Sequence, residues 1–137
     1  MISNATIQKA IAERLKANIL EMALPNASEE IREDNWQGTA FTYPNERIKL
    51  EDQTPINDGG CTSSAVLFSI LCFSEEASSK EADEIAWKIN DFLHDTRFTT
   101  DEIRFIMIKS RGLIPAERKD ERTWMAEARF RALVQPI

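Results

Sequence analysis

The sequence predicts an α+β domain in which two helices pack on one face of a mostly antiparallel four-stranded sheet, in the order α-β-β-α-β-β. Three observations carry this. Apolar residues recur every three to four positions in two stretches, Ile7–Met22 and Ala82–Leu93, as amphipathic helices require. Cys61–Phe73 is a continuous apolar run of strand length, and Thr123–Gln135 shows the cleanest two-residue alternation in the chain. The chain of 137 residues fits one domain over its whole length, with no internal repeat and no low-complexity segment.

Taken in order, the first helix can be capped by Ser3 or Asn4 and buries Ile7, Ile11, Leu15, Ile19 and Met22, and Pro25-Asn26 ends it. The acidic stretch Ser28–Asn35 is read as a short helix or an irregular connection. From Thr39, Phe41, Tyr43, Ile48 and Leu50 alternate as a strand, which Pro44 places at an edge or breaks. Thr54-Pro55 and Asn57-Asp58-Gly59-Gly60 mark a long polar loop. In the strand Cys61–Phe73, Val66, Phe68, Ile70 and Cys72 share one face, and Ala65, Leu67 and Leu71 the other, the pattern of a central strand or of one whose second face a partner covers. Ser78 or Ser79 opens the second helix, which runs to His94. A strand from Glu102 to Ile114 closes at Gly112 and Pro115, and Glu117–Arg122 forms a charged turn. In the last strand Trp124, Ala126, Ala128, Phe130, Ala132 and Val134 face inward, where the alanines leave room for a helix. Glu127, Arg129 and Arg131 face outward.

Composition narrows the function. A net charge of -6 argues against a broad basic face that grips phosphates. The longest uncharged stretch, Gly59–Ser74, is 16 residues and too polar to span a bilayer, and MISNATIQKA has no signal-like h-region. The chain is therefore expected to be a soluble protein made in the cytoplasm. His94 is the single histidine, so a general-base or Cys–His reading is weak, and no known nucleophile motif surrounds it. Four glycines without phosphate-loop spacing, and two cysteines with one histidine, supply neither a nucleotide site nor a zinc site. The acidic clusters read as solvated helix faces. The expectation is no catalytic residue, no cofactor and no metal. The outward stripe of Glu127, Arg129 and Arg131 is either solvent-facing or a subunit contact that uses alternating charge to fix register. Trp36 and Trp87 are further interface candidates.

Three phrases of the sequence resemble the tail-terminator, or tail-completion, proteins of long-tailed phages and prophages. They are Trp36-Gln37-Gly38-Thr39-Ala40-Phe41-Thr42-Tyr43-Pro44; the strand Ser64–Phe73 followed by the Ser-capped acidic helix Ser78–His94; and the closing strand Trp124–Val134 with its Arg129-Phe130-Arg131-Ala132-Leu133-Val134 ending. The resemblance covers Ile7 to Gln135 and departs from the family at the acidic Ser28–Asp34 insert. It implies an assembly protein of the virion tail without enzymatic activity: a homo-oligomeric, hexameric ring that caps the tail tube. Such a ring offers a surface to the head connector and lets DNA pass through its hole without sequence-specific binding or any membrane contact. An acidic chain suits a channel in which DNA slides. On this reading the contact residues are Pro55, Asn57, Asp58, Gly59 and Gly60 in one loop, Arg118, Lys119, Asp120 and Arg122 in the other, and Arg129 and Arg131 on the last strand. The rival is a small cytosolic ferredoxin-like binding module or dimeric enzyme, since the element order is a circular permutation of that layout.

Cys61 and Cys72 stand 11 positions apart in one strand, on opposite faces. At about 3.3 Å per residue they lie roughly 36 Å apart, far beyond disulfide reach. Both thiols should titrate as free in the unfolded, unreduced chain; an intramolecular disulfide would overturn the single-strand reading.

Overall fold

The computed structural model describes residues 2–25, 30–34, 42–58 and 61–137. Along the chain come α1 (Asn4–Lys16), a single-turn α2 (Ile19–Met22), β1 (Ile31–Glu33), β2 (Asn45–Asp58), β3 (Cys61–Ser74), α3 (Lys80–Leu93), β4 (Thr96–Thr99), β5 (Ile103–Arg118) and β6 (Trp124–Pro136). The strands form one six-stranded, mixed and curled sheet in the order β1-β2-β3-β6-β5-β4. β1 runs parallel to β2, and the remaining neighbours are antiparallel.

This corrects the expected four-stranded, two-helix arrangement. Three helices are present among the described residues, and two further strands, β1 and β4, edge the sheet. Both added strands are too short, at three and four residues, to carry a periodicity. Tertiary contacts hold them instead. The Arg47 guanidinium donates to the Glu30 carbonyl at 2.7 Å beside β1, and Phe98 of β4 stacks on Phe105 of β5 with ring centroids 4.5 Å apart. The first helix also divides: α1 stops at Lys16, and α2 follows with Ala23 in the left-handed conformation at its end (φ 55°). Ser3 caps α1, its hydroxyl accepting from the Thr6 N–H at 3.2 Å.

The four long strands fall close to the predicted ones, but two expected loops are ladder. Thr54–Asp58 belongs to β2, and Asp58 pairs with Cys61, so only residues 59–60 lie between the strands. β2 begins just after Pro44, at the expected break, and β1 pairs with its residues 46–48 only; the expected start at Thr39–Phe41 falls outside the described residues. β5 continues past Pro115 to Arg118, with a register shift between Ile114 and Glu117 that accommodates the proline. A second shift, between Ser110 and Gly112, uses the glycine's positive φ of 111°.

One core joins the elements. Phe68, Ile70 and Cys72 of β3 stand opposite Phe130, Ala128 and Ala126 of β6, all fully buried, and α1 and α3 lay their apolar stripes on this same face. The small residues Ala126, Ala128 and Ala132 let α3 approach β6 closely, while Phe68 and Phe130 stack at 5.2 Å. Arg14 ties α1 to the far side of the core, its guanidinium lying 5.3 Å from the Phe92 ring and 5.1 Å from the Phe98 ring. Phe130→Ala should remove the stack at the centre of the sheet and cost about 3–5 kcal/mol. Urea denaturation checks this: a shift in midpoint corresponding to less than about 1 kcal/mol would show that the site collapses around the smaller residue.

Candidate functional site

The face of the sheet turned away from the helices is the feature that the core leaves available. Alternation along β6 sends Met125, Glu127, Arg129, Arg131 and Leu133 to this open face, because their neighbours fill the core. Register then fixes their companions. Leu67, Arg131 and Lys109 make one row across β3, β6 and β5, and Ala65, Leu133 and Met107 make the next. Lys49, Arg104 and Arg111 add further cations, against the acids Glu51, Asp52 and Glu127. The open face is thus richer in cations than the net charge of the whole chain leads one to expect.

Its most extensively hydrogen-bonded group is centred on Glu51. The carboxylate accepts from the Arg111 guanidinium at 2.6 Å and from the Ser69 hydroxyl, and Arg111 Nε donates to the Phe130 carbonyl at 3.0 Å. One ion pair therefore links β2 to β5 across both central strands, and Ser69 is fully buried beneath it. Partial burial by itself raises the Glu51 carboxyl. The Ser69 and Arg111 hydrogen bonds, with the charges of Arg111 and Arg129, outweigh it and hold the group below its ordinary value. Lys109 is neutralised differently, by an ion pair with Asp95 in the turn after α3.

The predicted contact residues separate into three places. Arg129 and Arg131 lie on the open face. Pro55, Asn57 and Asp58 lie at the end of β2, beside the C-terminal end of β6; Gly59 and Gly60 are outside the described residues. Arg118 ends β5, and Lys119, Asp120 and Arg122 form the turn into β6 at the opposite end of the sheet, since Ser74 pairs with Trp124 there while Ser64 pairs with Val134. That turn is well tied. The Asp120 carboxylate accepts from the N–H groups of Arg122 (2.9 Å) and Thr123 (3.0 Å), which holds it below its usual range, and Arg118 lies over the Trp124 ring at 5.0 Å. Trp36 lies outside the described residues, whereas Trp87 stands 58% exposed on α3.

The residues weighed for chemistry do not meet. His94 caps α3, its Nδ1 accepting from the Ser110 N–H at 2.9 Å. Cys72 is buried under the sheet and unbridged; desolvation first, then the charges of Glu46 and Glu127, push its thiol well up, the state of an unreactive cysteine. Among the described residues no three His, Cys, Asp or Glu side chains form a group able to hold a metal ion. No helix among them is long and apolar enough to cross a membrane. Sequence reasoning turned Arg129 and Arg131 outward, as the structure has them, but gave no sign of the Glu51–Arg111 pair, which depends on two bulges in separate strands.

What the described residues assemble is an open sheet face of cations and aliphatic side chains. No family model and no curated protein matches the sequence. The fold is shared with a chain of a solved structure described as the virion of native gene transfer agent (GTA) particle, with a TM-score of 0.76 and 19% identity over 93% of each chain. The likeness is one of fold.

The Glu51 group makes a prediction about pH. Its folded pKa lies below the unfolded one, so its stabilisation is complete above the ordinary value of 4.5 and is lost as pH falls through the folded value. Glu51→Gln should therefore lose at most about 1 kcal/mol at pH 7, since the pair stays in contact with solvent. The gap to the parent protein should close in acid. Thermal melts from pH 7 to 3 test it, and a gap that does not narrow would assign the loss to packing.

Proposed function

We propose that this chain is a structural protein of a phage-like virion and, within that class, the tail terminator: a ring that caps the tail tube and joins it to the head connector. The observation that carries the proposal is the shared fold, over almost the whole of both chains, with a component of a gene transfer agent virion. The three phrases that resemble tail-terminator proteins support the finer reading. So does the placement of the two hairpin ends, at 55–58 and 118–122, on opposite ends of one sheet. A protein that joins two different partners needs two separate contact surfaces, and a rigid antiparallel ladder holds these at a fixed separation. In the ring, DNA passes through the central hole without sequence-specific contact.

Two genetic changes in the producing strain test this reading. Deleting the gene should give tails that are overlong and unattached to heads, with restoration from a plasmid copy; normal, infectious particles would sink the reading. Lys119→Ser with Arg122→Ser keeps the Asp120 cap, so the melting temperature should move by no more than about 2 °C. The same pair should reduce joined particles at least tenfold by electron microscopy. Unchanged joining would remove the 118–122 turn from the contact surface.

A further inference from the structure

The chain carries two exposed surfaces of opposite charge, each combining charged with apolar side chains. On α3, Ala82, Ile85, Ala86, Ile89 and Leu93 are spent on the core, which turns Glu84, Trp87 and Asp91 outward as one ridge at i, i+3 and i+7 spacing. Trp87 is 58% exposed, an uncommon placement for a side chain that buries so much area when covered. Between Glu75 and Asp91 the acids outnumber the lysines six to two. The open face of the sheet is the counterpart. Arg129 and Arg131 stand there beside Leu67, Leu133 and Met107, the last 41% exposed.

Resting on the ring reading above, we infer that the α3 ridge of one copy docks on the open sheet face of the next. Trp87 lies against Leu67, Leu133 and Met107, and Glu84 and Asp91 pair with Arg131 and Arg129. The occupant is a second copy of this chain because both halves of the complementarity are present on it. The two halves lie on opposite sides of the sheet, one on the helix that covers it and one on the bare face. Such a contact is head-to-tail: it leaves each partner with one surface unused, and repetition closes into a ring when the rotation permits. An exposed tryptophan flanked by acids also suits arginine on the other side, since guanidinium groups both pair with carboxylates and stack on indole.

The test is a charge-swap cycle read by sedimentation velocity of the purified protein at low ionic strength. Arg129→Glu with Arg131→Glu should remain monomeric, and so should Glu84→Arg with Asp91→Arg. Mixing the two variants should restore association, because the acidic ridge of the first meets the basic face of the second and the reverse pairing is equally matched. Placing all four changes in one chain should also restore it. A crosslinker, Trp87→p-benzoylphenylalanine, should map to β6 or β5 of a neighbouring copy. Circular dichroism confirms that each variant is folded. Three results would overturn the inference: no association of the parent protein at any concentration, association indifferent to the swaps, or crosslinks between two α3 helices. Double-stranded DNA binding that disappears with Arg129→Glu and Arg131→Glu, without any loss of self-association, would assign the face to nucleic acid instead. Rings that persist with crosslinks elsewhere would reject this interface and leave the virion reading intact. A gene deletion without effect on particles would reject that reading independently.

Discussion

The pairing of β3 with β6 is the constraint on which the rest of the molecule depends. Its register runs unbroken from Ser64 opposite Val134 to Ser74 opposite Trp124. Side chains in a strand alternate strictly, so a slip of β6 by one residue against β3 would carry Phe130 and Ala128 from the core to the open face and bring Arg129 and Arg131 inside. Burying an unpaired guanidinium costs far more than any local strain could recover. The register is therefore pinned by both faces at once. β2 and β5 then flank a pair that is already fixed, and α3 settles on the alanine floor of β6.

The flanking strands are less regular, and the irregularities have uses. Bulges at Leu50/Asp52 in β2 and at Ser110/Gly112 in β5 bring Glu51 and Arg111 to the open face, where they meet across the two central strands. A similar shift lets β5 pass Pro115 and reach the 118–122 turn. Backbone ladder pairs carry the hairpins to the two ends of the sheet, with Asp58 opposite Cys61 at one and Arg118 opposite Trp124 at the other.

A further division runs through the sheet from face to face. One side is closed by helices and is almost wholly apolar; the other is left open and mixes cations with aliphatic residues. The acids collect on the outer surface of α3, so a chain with a net charge of -6 still presents a cationic face. Whole-chain charge is a sum, and it says nothing about how the fold sorts its terms.

The sequence by itself determined the parts that repeat. The strand Cys61–Phe73, the closing strand from Trp124, the stripe of α3 and the outward place of Arg129 and Arg131 all follow from periods of 2 and 3.6 residues sustained over long segments. It also carried the Ser3 cap, a purely local interaction. The tertiary structure alone decided the remainder. β1 and β4 are strands because Ile31 and Phe98 find neighbours already in place; neither is long enough to declare itself. Thr54–Asp58 looks like a loop because turn-forming residues crowd it, yet its partner strand supplies a ladder that overrides that preference. The break between α1 and α2 falls where the apolar spacing continues, at Asn18, whose side-chain amide donates to the Arg14 carbonyl at 2.8 Å. The Glu51–Arg111 pair depends on two bulges 60 residues apart in sequence, and no local pattern can announce a contact that exists only once the sheet has formed.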